Sequence, residues 1–349
     1  MLALACAIRN KPLMSDPDLL TDAGTDDSPL LFGRVLDGQG AGRTIDWAQA
    51  LHWQPGAPGE VLWVHLNRTR PGVSELLQQE LGIPRTTAEL LVSDETRPRA
   101  FREGDTLVAT LRGINFNPGA DPEDMVSMQM WSDGKRLISL RRTPLQTPRD
   151  TLALIDAGTG PRDAGALVTS LTEFMIMRMN RSIVEMNEQI DLLEESPQDA
   201  DADARLEKIA SIRRNSLSLQ RHMGPQHEAL ELISRDAPEW FEEHDRREIA
   251  ETIDRLRRYL DDINISKESA MVLQDELRAR AVARSDRTNY LLTIIAAIFL
   301  PLGFVTGLLG INVGGMPGVD SDYAFWVVVG MCLAVFSMQL FLFWKWKWL

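Results

Sequence analysis

Cysteine is nearly absent from this 349-residue chain, whose only two, Cys6 and Cys332, lie at opposite ends of the sequence. That scarcity excludes a disulfide framework and any CxxC zinc knuckle, and it agrees with a reducing cytosol. Histidine is sparse too. His52, His65, His222, His227 and His244 are scattered, with no HExxH or comparable ligand cluster. His222 and His227, five residues apart, share a helix face poorly and read as surface or capping residues. No recognisable arrangement of Ser, Cys and His supplies a nucleophile, so the chain does not read as an enzyme and no resident cofactor is expected. The glycine-rich GQGAG (residues 38–42) is not followed by the helix that a phosphate-binding loop opens into, and it reads as a hairpin loop. A net charge of -13 makes nucleic acid a poor partner and favours the accumulation of cations.

What is present is concentrated at the end of the chain. Residues 290–310 and 324–344 are apolar, and each run of 21 residues is long enough to cross a bilayer core of about 30 Å as a helix. The 13 residues between them, INVGGMPGVDSDY, contain no Lys or Arg and offer only Asp320 and Asp322 as charges. Arg278, Arg280, Arg284 and Arg287 precede the first span, and Lys345 and Lys347 follow the second. By the positive-inside rule both termini are cytosolic and the loop faces outward, with Arg284, Arg287, Lys345 and Lys347 as a basic collar. The lipid bilayer of the cytoplasmic (inner) membrane is therefore an expected partner.

Ahead of the spans the chain changes character twice. Residues 1–28 are acidic, aperiodic and punctuated by Gly and Pro, as in a disordered leader, with Met14 an alternative start. Residues 29–163 carry short β-branched or aromatic runs, LLFGRVL, VLWVHL, TLVATLRGI, MVSMQMW and RLISLRR, which predict strands. SELLQQELG and TTAELLVSD predict short helices between the second and third, giving one α/β domain. From residue 164 to 237 the spacing is helical. A helix from 164 to 195 turns through the acidic SPQDADAD into a second helix over 204–223, and Gly224 and Pro225 begin a connector. Glu185, Glu188, Asp191, Glu194, Glu195, Asp199, Asp201 and Asp203 crowd this hairpin; they form either a solvated face or a surface that attracts cations to a pore.

Residues 238–289 predict a stalk helix that continues into the first span. Ile249, Ile253, Leu256, Leu260, Ile263, Ala270, Leu277 and Ala281 form a heptad-like seam with polar Lys267 and Gln274 in its gaps. The seam packs either on the hairpin of its own chain or on other copies in an oligomeric stalk. Two spans from one protomer cannot enclose a lumen, so a transport path requires several copies. Within the first span, Pro301, Gly303, Gly307, Gly310 and the following Asn312 stand out. The glycines suit close helix packing in a membrane, and Asn312 suits either a helix cap or a ring at the outer mouth.

The run TIIAAIFLPLGFVTGLLGIN, the short loop, the second span and the terminal KWKWL resemble the CorA-type divalent metal ion transporters, whose first membrane helix ends in Gly-Met-Asn. Here the triplet is Gly310-Ile311-Asn312. Its GIN form with the following GGMPG is similar to the ZntB-like zinc transport branch, as are ETRPR (95–99), LRGIN (111–115) and PEDMVSMQMW (122–131). The resemblance implies an α+β/α membrane protein built as a CorA-like homopentameric funnel: cytosolic α/β domain, helical hairpin, long stalk helix continuing as the pore helix, peripheral second helix and a basic tail at 345–349. It implies a pore stripe of Asp286, Leu292, Leu300 and Gly303, with Gly310, Ile311 and Asn312 at the outer entrance. Gly303 departs from the threonine common there in magnesium-transporting relatives. The expected activity is divalent cation transport, of Zn2+ on the branch resemblance. A Mg2+ or Co2+ channel is the alternative within the family, and a membrane-tethered signalling or scaffold protein the alternative outside it. An Asn ring accepts hydrogen bonds from the water shell of a hydrated cation, which suits Mg2+. Zinc specificity rests on the resemblance alone.

Overall fold

The computed structural model describes residues 28–121, 123–195, 201–310 and 322–346. The chain divides between Leu273 and Gln274 into two compact units.

The first unit is built on a seven-stranded sheet of β1 (Leu30–Leu36), β2 (Gly42–Thr44), β3 (Val61–Asn67), β4 (Arg99–Glu103), β5 (Thr106–Gly113), β6 (Val126–Ser132) and β7 (Arg136–Arg141), in the order β2-β1-β3-β7-β6-β5-β4. Only β3 and β7 pair in parallel; every other neighbour is antiparallel. β3 and β6 are buried at every position, as expected of central strands covered on both faces. Around β3, Leu62, Val64 and Leu66 join Ile138 and Leu140 of β7 in a core closed by Leu77 of helix α2 (Val73–Gln79) and Leu91 of α3 (Arg85–Val92). A short α1 (Trp47–Leu51) is fixed by a capping box between Asp46 and Gln49. The GQGAG segment is the β1–β2 hairpin loop, with Gly38 and Gly40 at positive φ.

One buried group gives this unit a pH dependence. His65 lies inside the sheet, its Nδ1 2.8 Å from Ser139 Oγ and its ring stacked on Phe32. Burial, reinforced by the charge of Arg141, pushes its pKa down to about 3. The folded state therefore binds fewer protons than the unfolded one between about pH 6.5 and 3, and stability present above pH 6.5 is lost as the pH falls through that window. His65→Asn is expected to shrink the stability difference between pH 7 and pH 4 by about 3 kcal/mol, read from denaturant unfolding at each pH. Asp245 opposes this trend, since burial raises its carboxyl to about 6. The wild-type-minus-variant difference isolates the histidine.

The helices that follow are α4 (Thr147–Asp156), α5 (Ala164–Met177), α6 (Met179–Glu195), α7 (Ala202–Arg235) and α8 (Glu243–Leu309). Two differ from the sequence expectation. The helix expected from 164 to 195 is interrupted at Arg178, whose guanidinium grips Asp150 of α4 through Nε and Nη2, both at 2.5 Å. The break expected at Gly224–Pro225 is absent. Proline removes one helical N–H, but Met223 and Gln226 on either side are fully buried, and Gln226 Oε1 accepts from the backbone N of Arg112 at 2.6 Å. Tertiary packing thus overrides local propensity.

The seam has also found its partner. Ile249, Leu256, Ile263 and Ala270 are fully buried within the single chain. Polar contacts flank them: Arg255 to Glu173 at 3.2 Å, Ser266 to Asn187, and Lys267 to Gln220 at 3.4 Å. From Ile249 to Ala270 the seam therefore packs on α5, α6 and α7 of its own chain, whereas Ala281 at its end is exposed. Copies meeting along the 249–270 part of α8 would need another face. Ile265 and Val272, seven residues apart, are 62% and 68% exposed there.

Candidate functional site

The second unit contains the end of α8 and helix α9 (Ala324–Lys345), each long and apolar enough to cross a membrane. Pro301 sits inside α8 and has no N–H to give to the carbonyl of Ala297, four residues earlier. In an apolar medium that orphaned oxygen is costly. Gln339 of α9 answers it: its Nε2 donates to Ala297 O at 3.1 Å, and its side chain is buried. Ile294, Ala297, Ile298, Leu302 and Val305 are the partly covered residues around this bond, and their three- and four-residue steps define one face of α8.

The opposite face is open. At 3.6 residues per turn, Leu292, Gly303 and Gly310 fall within about 20° of one another, roughly half a turn from the Ala297 face. Leu300 lies about 80° from that line and Asp286 about 120°, nearer in angle to Ala297. Leu292 and Leu300 are 59% and 71% exposed, and a Cβ built on Gly303 would meet nothing within 4 Å. Gly310 N donates to Thr306 O at 2.9 Å, so helical hydrogen bonding reaches the first residue of the GIN triplet. Asp286, Arg284, Arg287, Asp322 and Lys345 are exposed, Lys345 in the last turn of α9. Ile311, Asn312, Asp320 and Lys347 lie outside the described residues.

Among the described residues no group of three or more His, Cys, Asp or Glu side chains is arranged to hold an ion. The acidic hairpin residues Glu185, Glu188, Asp191, Glu194, Glu195, Asp201 and Asp203 are exposed, with Glu185 paired to Arg181 at 2.8 Å; Asp199 is outside the described residues. His222 sits beside Arg112, 3.4 Å from its Nη1, and burial with the charges of Arg112 and Arg221 holds it down to about 4. His227 lies 3.8 Å from Glu231.

Gln339 is the residue that sequence reading missed. Its signal was a lone carboxamide in an otherwise apolar span, which acquires meaning only when set against Pro301. Gln339→Leu is expected to weaken the α8–α9 pair by about 1 kcal/mol, within the range of interhelical hydrogen bonds in membranes. Pro301→Ala restores the missing N–H, so in that background the same Gln339→Leu change is expected to cost almost nothing. Thermal unfolding of the four proteins in detergent measures the coupling; equal losses in both backgrounds would break the link between Pro301 and Gln339.

A family model described as "CorA-like Mg2+ transporter protein" matches residues 58–345. The divalent cation transporter CmaX of Pseudomonas aeruginosa is 37% identical over 326 residues, 93% of this chain and 98% of its own length. The zinc transport protein ZntB of Pectobacterium carotovorum is 34% identical, covering 75% of this chain and 80% of its own. Among solved structures, full-length CmaX superposes with a TM-score of 0.81 at 36% identity, over 94% of this chain and all of that one. The complete CorA magnesium transporter of Methanocaldococcus jannaschii gives 0.74 at 14% identity, over 91% of this chain and 98% of its own, a likeness of fold.

Proposed function

Because this chain belongs to the CorA-like Mg2+ transporter family, we propose that it is a divalent cation transporter that passes Zn2+ across the cytoplasmic membrane through a homopentameric pore. The pore is lined by the membrane part of α8. The observation that carries this reading is the two-faced character of that helix: one face is engaged by α9 through Gln339, and on the other Leu292 is exposed and a Cβ built on Gly303 meets nothing within 4 Å among the described residues. A lumen needs that second face from several copies, and a closed ring uses the same surface on each. Gly303 leaves the lumen wide at its level, Leu292 and Leu300 form apolar constrictions, and Asp286 with the Asn312 ring places oxygen acceptors at either end.

Zinc as the cargo is supported by the GIN form of the entrance motif and by the ZntB relatives. Magnesium or cobalt is the second reading, favoured by one observation: among the described residues of α8 beyond Asp286 there is no His, Cys or carboxylate of the kind Zn2+ prefers, whereas Mg2+ keeps its water shell. Both readings predict metal uptake into vesicles containing the purified protein, measured separately for Zn2+, Mg2+ and Co2+. Zinc flux supports the first; magnesium or cobalt flux without zinc moves the chain to the second, and a monomeric particle that still transports removes the ring.

The charge asymmetry supports cytosolic termini and an outward loop. A cysteine placed at Val319 is expected to react with an impermeant thiol reagent applied to intact cells. Labelling only after membrane disruption would invert the orientation.

A further inference from the structure

A polar cavity of about 210 Å3 opens in the first unit, where the parallel strands β3 and β7 end. Arg68 directly follows β3 and Arg142 directly follows β7, so the backbone delivers two guanidinium groups to one place. The bond from Arg68 N to Arg141 O, 2.9 Å, keeps the strand ends in step. Arg112 adds a third positive charge from β5, and Asp94 and Asp124 are the acids on the lining. On a chain of net charge -13, this recess carries three arginines against two aspartates.

The three arginines are not equivalent. Arg112 is engaged in holding loops: its Nε donates to Thr96 O and its Nη1 to Met125 O, both at 2.9 Å, and its Nη2 bonds Thr96 Oγ1. Arg68 has only 5% of its side chain exposed, and its described side-chain hydrogen bonds leave from Nη1, to Val92 O, Ser93 O and Asp94 Oδ1. Its Nε is buried without an acceptor among the described residues. A buried cation with unused donors calls for an anion. The exposed Asp94 partly fills that need, bridging Arg68 at 3.3 Å and Arg142 at 3.2 Å. Neighbouring groups report the same positive field, since Arg112 and Arg221 both help hold the His222 ring neutral.

We propose that this cavity binds a small free oxyanion of the phosphate class, held by Arg68 and Arg142, which takes over the donors that Asp94 now occupies. The crevice beyond the carboxyl ends of strands is a common place for ligands in α/β sheets. A space of about 210 Å3 lies below the roughly 300–1,000 Å3 usual for larger organic ligands, which suits an anion of this size with a few waters. Guanidinium forks match its tetrahedral oxygens with charge-assisted bonds.

The test is calorimetric titration of inorganic phosphate into the full chain in detergent, with ionic strength held constant by chloride. Saturable binding is expected. Arg142→Gln is expected to weaken it at least tenfold, and Asp94→Asn, which removes the competing carboxylate, to tighten it several-fold. Arg142 is exposed and its described polar contact is with Asp94, so the variant's melting without phosphate should match wild type and a lost signal reads binding. Absence of saturable phosphate binding by the wild type, or unchanged affinity in Arg142→Gln, would overturn the site.

Discussion

Replacing Asn312 by alanine is expected to remove most divalent cation flux without changing the mass of the purified particle. In the proposed pore Asn312 stands where a hydrated ion first meets the protein, two residues beyond Gly310, which helical hydrogen bonding of α8 reaches. Its carboxamide oxygen accepts from the ion's water shell without holding the ion as a carboxylate would, so entry is favoured and release remains fast. Alanine has no acceptor. Were Asn312 only a helix cap, its loss would cost roughly 1 kcal/mol of local stability and leave transport intact. Vesicle flux of Zn2+ and of Mg2+, each compared with wild type, separates the two roles. Undiminished flux of both ions would take Asn312 out of the mechanism.

A phenylalanine at position 303 is expected to close the pore while sparing the protomer. Among the described residues, apart from the backbone of its own helix turn, nothing lies within 4 Å of a Cβ built on Gly303, so the site leaves room at the root of the added side chain. Five such rings at one level of a narrow lumen would exclude a hydrated cation. The converse substitution probes the covered face: Ala297→Phe would strike the surface that carries the bond from Gln339, and is expected to lower stability. If Gly303→Phe protein transports at the wild-type rate, the open face of α8 looks onto lipid and the pore lies elsewhere.

These expectations draw unequally on sequence. The five apolar runs read as strands became β1, β3, β5, β6 and β7, because each lies inside the sheet between two neighbours and buries most of its apolar side chains, β3 and β6 at every position. β2 and β4 escaped notice for the complementary reason. They are the two edges of the sheet, short or charged; in Arg99–Glu103 only Ala100 is buried. The heptad-like seam was visible, but its partner was not, since a strip of Ile and Leu does not encode whether it meets its own chain or a copy. Pro225 shows the limit of local signals: a residue that breaks isolated helices is carried by the buried Met223 and Gln226 beside it. In the membrane unit the two spans were plain from length and composition. The face of α8 that α9 covers was not, because it depends on which residue of α9 comes level with Ala297.

That single alignment bears on how the hairpin is made. During synthesis the first span emerges well before the second, so a helix containing Pro301 must wait in the translocon or at its lipid flank with the Ala297 carbonyl unanswered. Only when Gln339 arrives is the donor supplied, and the amide nitrogen of its carboxamide is then paired, although its Oε1 stays buried without a donor among the described residues. The first span carries a defect that the second repairs, so the two should partition into lipid as a pair, and truncation after residue 323 should leave the first span prone to quality-control degradation.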